Sequence, residues 1–334
     1  MTWLKMISEN GGTVAYSPSF GYELCARRYR DEPLDLSTWR KAGIGGDMVR
    51  DEALMAFCDT FEASGFDRAA PVSSYGLAET TLGVAFAPLY AGLKRDRVDT
   101  GRMQTSGRAV PASHETKTGQ ERTFLSCGKP MASLELRIIR EGCEARENLS
   151  DREIGRIILR GPSVAAGYFR AGQDLQPLAD ADGWLETGDL GYWLDGEIVI
   201  TGRSKDLILW NGRNIWPQDI EWVAQHAGGK NISGTGAFEV HENNGENGTS
   251  TRIVLLAECW SRDNDVREQL VRDISAATRS ATGAPVSVEL IGVRSLPMTS
   301  SGKLSRAGAR ACYLAGGYNP APVEQQVSAP ASGA

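Results

Sequence analysis

Four short segments carry residues whose type and spacing suit chemistry. Ser73-Ser-Tyr-Gly-Leu-Ala-Glu79 sets the flat face of Tyr75 beside Gly76, whose backbone a ligand can approach closely. Glu79 lies one short turn further on and can reach a metal or a phosphate. Trp184-Leu-Glu-Thr-Gly-Asp-Leu-Gly191 brackets Asp189 with glycines, so the backbone can present its carboxylate to a sugar diol as a bidentate acceptor. Thr201-Gly-Arg-Ser-Lys-Asp206 puts Arg203, Lys205 and Asp206 on a junction between two strand-rich blocks. Pro297-Met-Thr-Ser-Ser-Gly-Lys-Leu-Ser-Arg306 surrounds Lys303 with small residues, a setting for a mobile loop that delivers a cation to phosphate or carboxylate. It is not a Walker A loop. Pro297 stands where that motif wants glycine, and Leu304 replaces the Ser or Thr that would hold magnesium. Taken singly, each segment reads as an ordinary turn or solvated linker.

Other chemistries find little support. The six cysteines (Cys25, Cys58, Cys127, Cys143, Cys259, Cys312) form no CxxC pair, and His114, His226 and His241 stand apart, so no zinc site is expected. Buried free thiols in a reducing cytoplasm are the simpler reading. Lys plus Arg is 36 and Asp plus Glu is 42, a net charge of −6. That balance gives no global field toward nucleic acid or an anionic membrane. The longest uncharged apolar stretch, Thr80 to Leu93, falls short of the about 20 residues that span a bilayer. No long apolar run follows Lys5 and Glu9, so no signal peptide is expected.

Secondary-structure elements must hold these segments. Leu54, Phe57, Cys58 and Phe61 fall at i, i+3, i+4 and i+7, one apolar face of a helix over 51–66. Phe20 to Arg28 reads as a short helix, and Ala42 to Asp47 as a strand running into a glycine-rich turn. Residues 91–123 are polar and turn-rich. From Leu134 the period changes to two, with Leu134, Leu136 and Ile138 alternating with Glu135, Arg137 and Ile139, and 154–159 and 197–200 continue a strand-rich block. Leu207 to Trp210 and Arg213 to Trp216 flank Asn211-Gly212, the pair that favours a type I′ hairpin. Pro217 opens a helix with Ile220, Val223, Ala224 and Ala227 facing inward. A strand over 253–257, a helix over 263–282 with Val266, Leu270 and Ile274 in line, and a strand over 286–293 complete a compact unit. Residues 319–334, rich in Pro, Ala, Ser and Gln, read as a disordered tail. There is no internal repeat.

In their order along the chain, Tyr-Gly-x-x-Glu (75–79), Thr-Gly-Asp-Leu (187–190), Gly-Arg-x-Lys-Asp (202–206) and Ser-Gly-Lys (301–303) resemble the adenylate-forming superfamily of acyl-CoA synthetases, luciferases and peptide-synthetase adenylation domains. Gly155 to Tyr168 looks like that superfamily's glycine-bracketed strand segment, and the resemblance covers nearly all of residues 3–315. Within the superfamily the chain looks most like a fatty acyl-AMP ligase. That branch is favoured by Tyr-Gly-Leu-Ala-Glu at 75–79, by Gly-Arg-Asn-x-x-Pro-Gln-Asp-Ile-Glu at 212–221, and by the long polar segment between Thr80 and Ser126.

The resemblance implies an α/β fold: the end of the large adenylate-forming domain over 1–88, a strand-rich, distorted-barrel subdomain with a polar insertion over 89–204, and a small mobile α+β domain over 205–318. It implies ATP/AMP and Mg2+ as cofactors. Tyr75 would stack on adenine with Gly76 beside it, and Gly45, Gly46 and Asp47 would run along the adenine edge. Glu79 would hold magnesium. Asp189 would accept both ribose hydroxyls, Arg203 would support the ribose or phosphate side, and Lys303 would bridge the acyl carboxylate and the α-phosphate. Lys205 falls at the hinge between the large and small domains.

Two departures accompany it. Ala78 stands where many members have Thr, as in the acyl-AMP ligase branch. The phosphate-gripping loop of the family lies upstream of the region matched here, so the chain resembles a C-terminal half, either a truncated form or a split form whose partner would be a separate N-terminal half. The expected activity is ATP-dependent conversion of a fatty acid to acyl-AMP for transfer to an acyl carrier protein, in the cytoplasm. Two alternatives stay open: a non-catalytic remnant or carrier-protein-binding module, and a long-chain acyl-CoA synthetase.

Overall fold

The structure is a computed structural model that describes residues 1–117, 119–142, 146–243, 249–299 and 302–318. The chain divides into two compact units, Met1–Trp216 and Pro217–Ala334. The expected tail at 319–334 and the expected free thiol of Cys143 lie outside the described residues.

The first unit opens as α/β. Helix α1 (Thr2–Asn10), strand β1 (Val14–Ser17), helix α2 (Ser19–Arg28), strand β2 (Lys41–Ile44), helix α3 (Asp51–Phe61) and strand β3 (Pro71–Gly76) follow in turn, with β1, β2 and β3 parallel. The apolar face expected on α3 is buried at Leu54, Phe57, Cys58 and Phe61. It packs on Tyr22, Trp39 and Phe66, whose rings meet Phe57 with centroids 5.0–6.0 Å apart at near-perpendicular angles. Strand β4 (Gly83–Phe86) turns back antiparallel to β3.

The polar segment is more regular than its composition suggests. It carries strand β5 (Arg95–Asp99), helix α4 (Thr100–Ser106) and the start of strand β6 (Glu121–Leu125), and β5 pairs antiparallel with β6. Asp99 caps α4 by accepting the Arg102 N–H at 2.9 Å. The physical reason is that its buried polar side chains find partners outside the segment, Arg152 and Arg213. Asp96 and Gln104 are buried against these arginines, beside the buried apolar Val98, Met103 and Ala109.

Strand β7 (Lys129–Pro130) joins β4 and completes a five-stranded sheet in the order β1-β2-β3-β4-β7. Strands β8 (Glu135–Ile139) and β9 (Gly155–Arg160) follow, then the small pair β10 (Gly167–Tyr168) and β11 (Gln176–Pro177). Strands β12 (Leu185–Leu194) and β13 (Glu197–Arg203) finish an antiparallel sheet in the order β13-β12-β9-β8. Among the described residues the expected distorted barrel does not close. The free edge of β13 gains only a short run of bonds, the Cys127 N–H donating to Ile198 at 2.8 Å and the Ile198 N–H to Gly128 at 2.9 Å. Gly128, at φ +77, is where the two sheets meet, and a Cβ there would sit 1.9 Å from the Phe86 carbonyl oxygen.

Strands β14 (Ile208–Trp210) and β15 (Arg213–Ile215) form the expected hairpin, with Asn211 at φ +48 and Gly212 at φ +74 as a type I′ turn requires. This hairpin packs with the first unit, where Arg213 donates to Gln104 Oε1 at 2.6 Å.

The second unit starts at helix α5 (Pro217–Gly228). Strands β16 (Ile232–Asn243), β17 (Thr249–Cys259) and β18 (Val286–Ile291) make a sheet in that order, and helices α6 (Asn264–Thr282) and α7 (Arg306–Leu314) complete it. Asp263 caps α6 by accepting the N–H groups of Asp265 and Val266. Leu270 and Ile274 are buried as their spacing predicts, whereas Val266 in the first turn is exposed. Cys25, Cys58, Cys127, Cys259 and Cys312 are free thiols. Burial pushes Cys127 up to about 12, so it fills space rather than acting as a nucleophile. Among the described residues no helix is long and apolar enough to cross a membrane.

Candidate active site

In the first unit the chemistry gathers at the C-terminal ends of β2 and β3 and at a bulge in β12. Ile44 pairs with Ser73, so the Gly45-Gly46 turn leaves β2 directly beside Tyr75's strand. Ser74 Oγ donates to the Ile44 carbonyl at 2.9 Å, and a Cβ on Gly45 would sit 2.6 Å from that hydroxyl. Gly45 is therefore fixed as glycine by its neighbour. Gly46 at φ +84 is fixed by its backbone and opens onto free space. Asp47 follows but turns aside. Its Oδ1 accepts the Ser19 N–H at 3.2 Å at the start of α2.

Gly76 ends β3, where a Cβ would meet the Leu82 carbonyl oxygen at 2.0 Å. That close approach lets the Leu77 N–H reach Leu82 O at 2.9 Å and closes a tight turn carrying Glu79. The Ala165 N–H donates to the Glu79 carbonyl at 2.8 Å, and the Tyr168 hydroxyl donates to Glu79 Oε1 at 2.6 Å.

Asp189 is aimed by irregularity in β12. Glu186 faces Ile158 and Leu190 faces Arg156, so 187–189 bulge out of the β9 ladder around Gly188 at φ +74. On the other edge Asp189 stands directly opposite Arg203. Thr187 pins the bulge: its hydroxyl donates to Ile157 O at 2.8 Å and accepts the Asp189 N–H at 3.1 Å.

The Tyr75 hydroxyl donates to Asp189 Oδ2 at 2.7 Å, and Arg203 Nε lies 3.5 Å from Oδ1. The Tyr75 ring is 7% exposed, with its body in the core beside Val84, Cys127 and Leu159. Burial pushes the Asp189 carboxyl above its ordinary value of 3.8; the Tyr75 hydrogen bond and the Arg203 charge oppose the shift, and the charges of Glu79 and Asp206 add to it. Burial, reinforced by Asp189, drives the Tyr75 hydroxyl well up, so it stays a donor.

The structure thus brings together Gly45, Tyr75, Gly76, Asp189 and Arg203, with Glu79 near enough to act on Asp189. Asp47 is tied to α2. Lys205 is exposed in a 3-10 turn over Ser204–Asp206. Lys303 belongs to the second unit and is exposed. Ser19, Ser74, Tyr168 and Thr187 take part without having been singled out as site residues. For Thr187 a signal existed, since a hydroxyl two residues before an Asp in a glycine turn is a local backbone partner. Tyr168 had none, because its partner is distant in sequence.

Among the described residues no group of three or more His, Cys, Asp or Glu side chains could hold a metal ion. Glu79 offers a lone carboxylate whose Oε1 already accepts from Tyr168. A single hard oxygen donor fits Mg2+, which is held by one or two carboxylates together with substrate phosphates and water.

Residues 1–169 match the family model described as AMP-binding enzyme. The chain belongs to the AMP-binding enzyme family. Its relatives in that family include fatty acyl-AMP ligases and acyl-CoA synthetases. A Caulobacter vibrioides protein named "Putative acyl-CoA synthetase" is 42% identical over 95% of this chain and 54% of its own length. A medium-chain fatty acid–acyl-carrier-protein ligase of Moorena producens is 34% identical over 94% of this chain and 54% of its own. A solved structure from a study of fatty acyl-adenylate ligases of E. coli and L. pneumophila is 39% identical, with a TM-score of 0.84, covering 94% of this chain and 55% of that one. The chain spans about half the length of the curated AMP-binding relatives it matches.

Proposed function

We propose that this protein takes part in ATP-dependent activation of a fatty acid to acyl-AMP, followed by transfer of the acyl group to the thiol of an acyl carrier protein. The observation that carries the reading is the Tyr75–Asp189–Arg203 cluster: a buried carboxylate held by one donor and one cation at a glycine bulge. Such a carboxylate accepts a vicinal diol in a fixed orientation. Tyr75 with Gly45, Gly46 and Gly76 is the proposed adjoining surface for adenine, and Asp47, although tied to Ser19, is the further candidate along its edge. Arg203 lies beside the diol and can support the ribose or phosphate side.

The reaction gathers negative charge as a carboxylate oxygen attacks the α-phosphorus and pyrophosphate leaves. Catalysis is then positioning and charge neutralisation. Glu79 is the residue that would hold Mg2+, and the ion would supply charge neutralisation on the phosphates. Lys303 contributes its ammonium to the acyl carboxylate and the α-phosphate. Lys205 is the proposed hinge between the adenylation and transfer steps. We take 1–88, 89–204 and 205–318 as the working parts of this machine, with a separate N-terminal half as a candidate partner.

The deciding experiment is ATP–pyrophosphate exchange with medium- and long-chain fatty acids. Label in ATP that depends on the fatty acid supports the reading. Its absence, with carrier-protein binding measured by calorimetry, would replace it by a carrier-binding module. Equal transfer to coenzyme A and to carrier protein would favour an acyl-CoA synthetase.

Asp189 gives a pH prediction. Its folded-state pKa is raised, so AMP affinity is expected to fall as pH drops through a window lying above 3.8, because only the carboxylate accepts both hydroxyls. Stability moves the other way. The folded state holds this proton more tightly than the unfolded chain, so ionising Asp189 as pH rises from 3.8 through the folded pKa costs stability. Asp189→Asn is expected to weaken AMP and to flatten both trends. Calorimetric titration and urea denaturation across pH check them. An unchanged affinity profile in the variant would remove Asp189 from the ribose site.

A further inference from the structure

Lys303 lies in a short return of chain whose two ends are both tied to the sheet of the second unit by buried carboxylates. At the entering end the Leu296 N–H donates to Glu258 Oε1 at 2.9 Å, and Glu258 Oε2, from β17, accepts the Ser233 hydroxyl at 3.1 Å. At the leaving end Arg306, first residue of α7, sets Nε and Nη2 on the two oxygens of Glu221 at 2.8 and 2.6 Å. Glu221 comes from α5, and its Oε1 also takes the Ala237 N–H of β16 at 3.0 Å. Glu221 is 6% exposed and Glu258 8%.

The described residues on the two sides of this span pair with each other as a hairpin's arms do. Met298 and Leu304 form an antiparallel bridge. The Thr299 N–H donates to Lys303 O at 2.7 Å, and the Ser305 N–H to Pro297 O at 2.9 Å. The Lys303 N–H itself donates to Thr299 Oγ1 at 3.1 Å. Leu296 and Leu304 lie over Gly236, where a Cβ would come within 3.4 and 3.3 Å of them. Burying a carboxylate is costly unless it is paired and hydrogen-bonded. The second unit buries one at each end of this hairpin and satisfies both with groups of the hairpin or its helix.

We propose that Glu221 with Arg306, and Glu258 at the other end, are positioning residues for Lys303. They fix the hairpin to the sheet, so the lysine backbone moves with the second unit as a rigid whole instead of swinging as a free loop. The consequence for the reaction rests on the reading of Lys303 as a catalytic group; the rigidity does not.

The test separates the two. Arg306→Ala alone would strand a buried carboxylate and risk unfolding, so the working variant is the pair Glu221→Gln with Arg306→Met. Glutamine keeps an acceptor for Ala237 N–H, and methionine keeps the buried stem. Amide exchange by NMR is expected to quicken about tenfold or more at Gly302 and Lys303, while Val254 and Leu255 in the centre of β17 keep their parent rates. Arg306→Lys, a point charge without the fork, is expected to lie between parent and pair. Fatty-acid-dependent pyrophosphate exchange is expected to fall about tenfold or more in the pair variant, since small misplacements of a reacting group cost rate steeply. Unchanged exchange at Gly302 and Lys303, or a rise matched at Val254 and Leu255, overturns the proposal. Quickened amides with pyrophosphate exchange unaltered would keep the clasp and remove Lys303 from the chemistry.

Discussion

Lys303→Ala is expected to lower fatty-acid-dependent pyrophosphate exchange by about 10²–10³-fold, the usual cost of removing one preorganised group aimed at developing charge. AMP affinity should hardly change, because the ribose and adenine contacts proposed here come from Tyr75, Asp189 and Arg203 in the first unit. Lys303 is exposed and its hairpin is held by backbone bonds and by Arg306, so truncating the side chain removes an ammonium without disturbing a core. Hydrolysis or transfer of acyl-AMP supplied ready-made is expected to continue at close to the parent rate, since no carboxylate then has to meet the α-phosphate. Single-turnover kinetics with ATP and with acyl-AMP check the two halves. Equal loss in both would mean that Lys303 supports the fold or both steps alike.

Arg152→Ala is expected to destabilise the first unit by about 3–5 kcal/mol, the range for stranding one partner of a buried ion pair. Arg152 Nη1 and Nη2 grip Asp96 Oδ2 and Oδ1 at 3.0 and 2.9 Å, and Nη1 also donates to Ala109 O at 2.9 Å. Tyr192 donates to Asp96 Oδ2 at 2.6 Å, with its hydroxyl held protonated by burial. Asp96 is 6% exposed, so without the guanidinium it keeps a buried charge and a single side-chain donor. This network fastens β5 and residue 109 to β12. Its loss should therefore loosen the polar segment first. Urea denaturation followed by tryptophan fluorescence measures the cost, and a loss under about 1 kcal/mol would show the pair to be solvated like a surface bridge. The double change Asp96→Asn with Arg152→Met is expected to recover much of the stability, because the stranded charge is gone.

Local elements were legible where local physics decides them. The apolar spacing of Leu54, Phe57, Cys58 and Phe61 set α3. Asn211-Gly212 set the hairpin of β14 and β15 because both residues tolerate positive φ. Pro217 and Asp263 marked two helix starts. Residues 91–123 were opaque for a related reason. Part of their burial comes from charges that pair with groups far along the chain, such as Asp96 with Arg152, and no periodicity records a partner that distant. The ties on either side of Lys303 were equally opaque, because Glu258 meets Leu296 and Glu221 meets Arg306 from elements distant in sequence.

The same division applies to the site. By itself the sequence determined which groups are present and in what order: an aromatic beside a glycine, a carboxylate in a glycine turn, an arginine on the next strand, and a lysine among small residues. Spacing and backbone demands are local properties, so they survive in the linear text. Tertiary structure alone decided that Tyr75 bonds to Asp189, that Thr187 pins the bulge presenting it, and that Tyr168 holds Glu79. Those contacts join residues separated by whole strands, and their geometry exists only once β3, β12 and β13 have packed. Burial does the rest, raising the Asp189 pKa and keeping the Tyr75 hydroxyl a donor through a desolvation that no single residue carries in its identity.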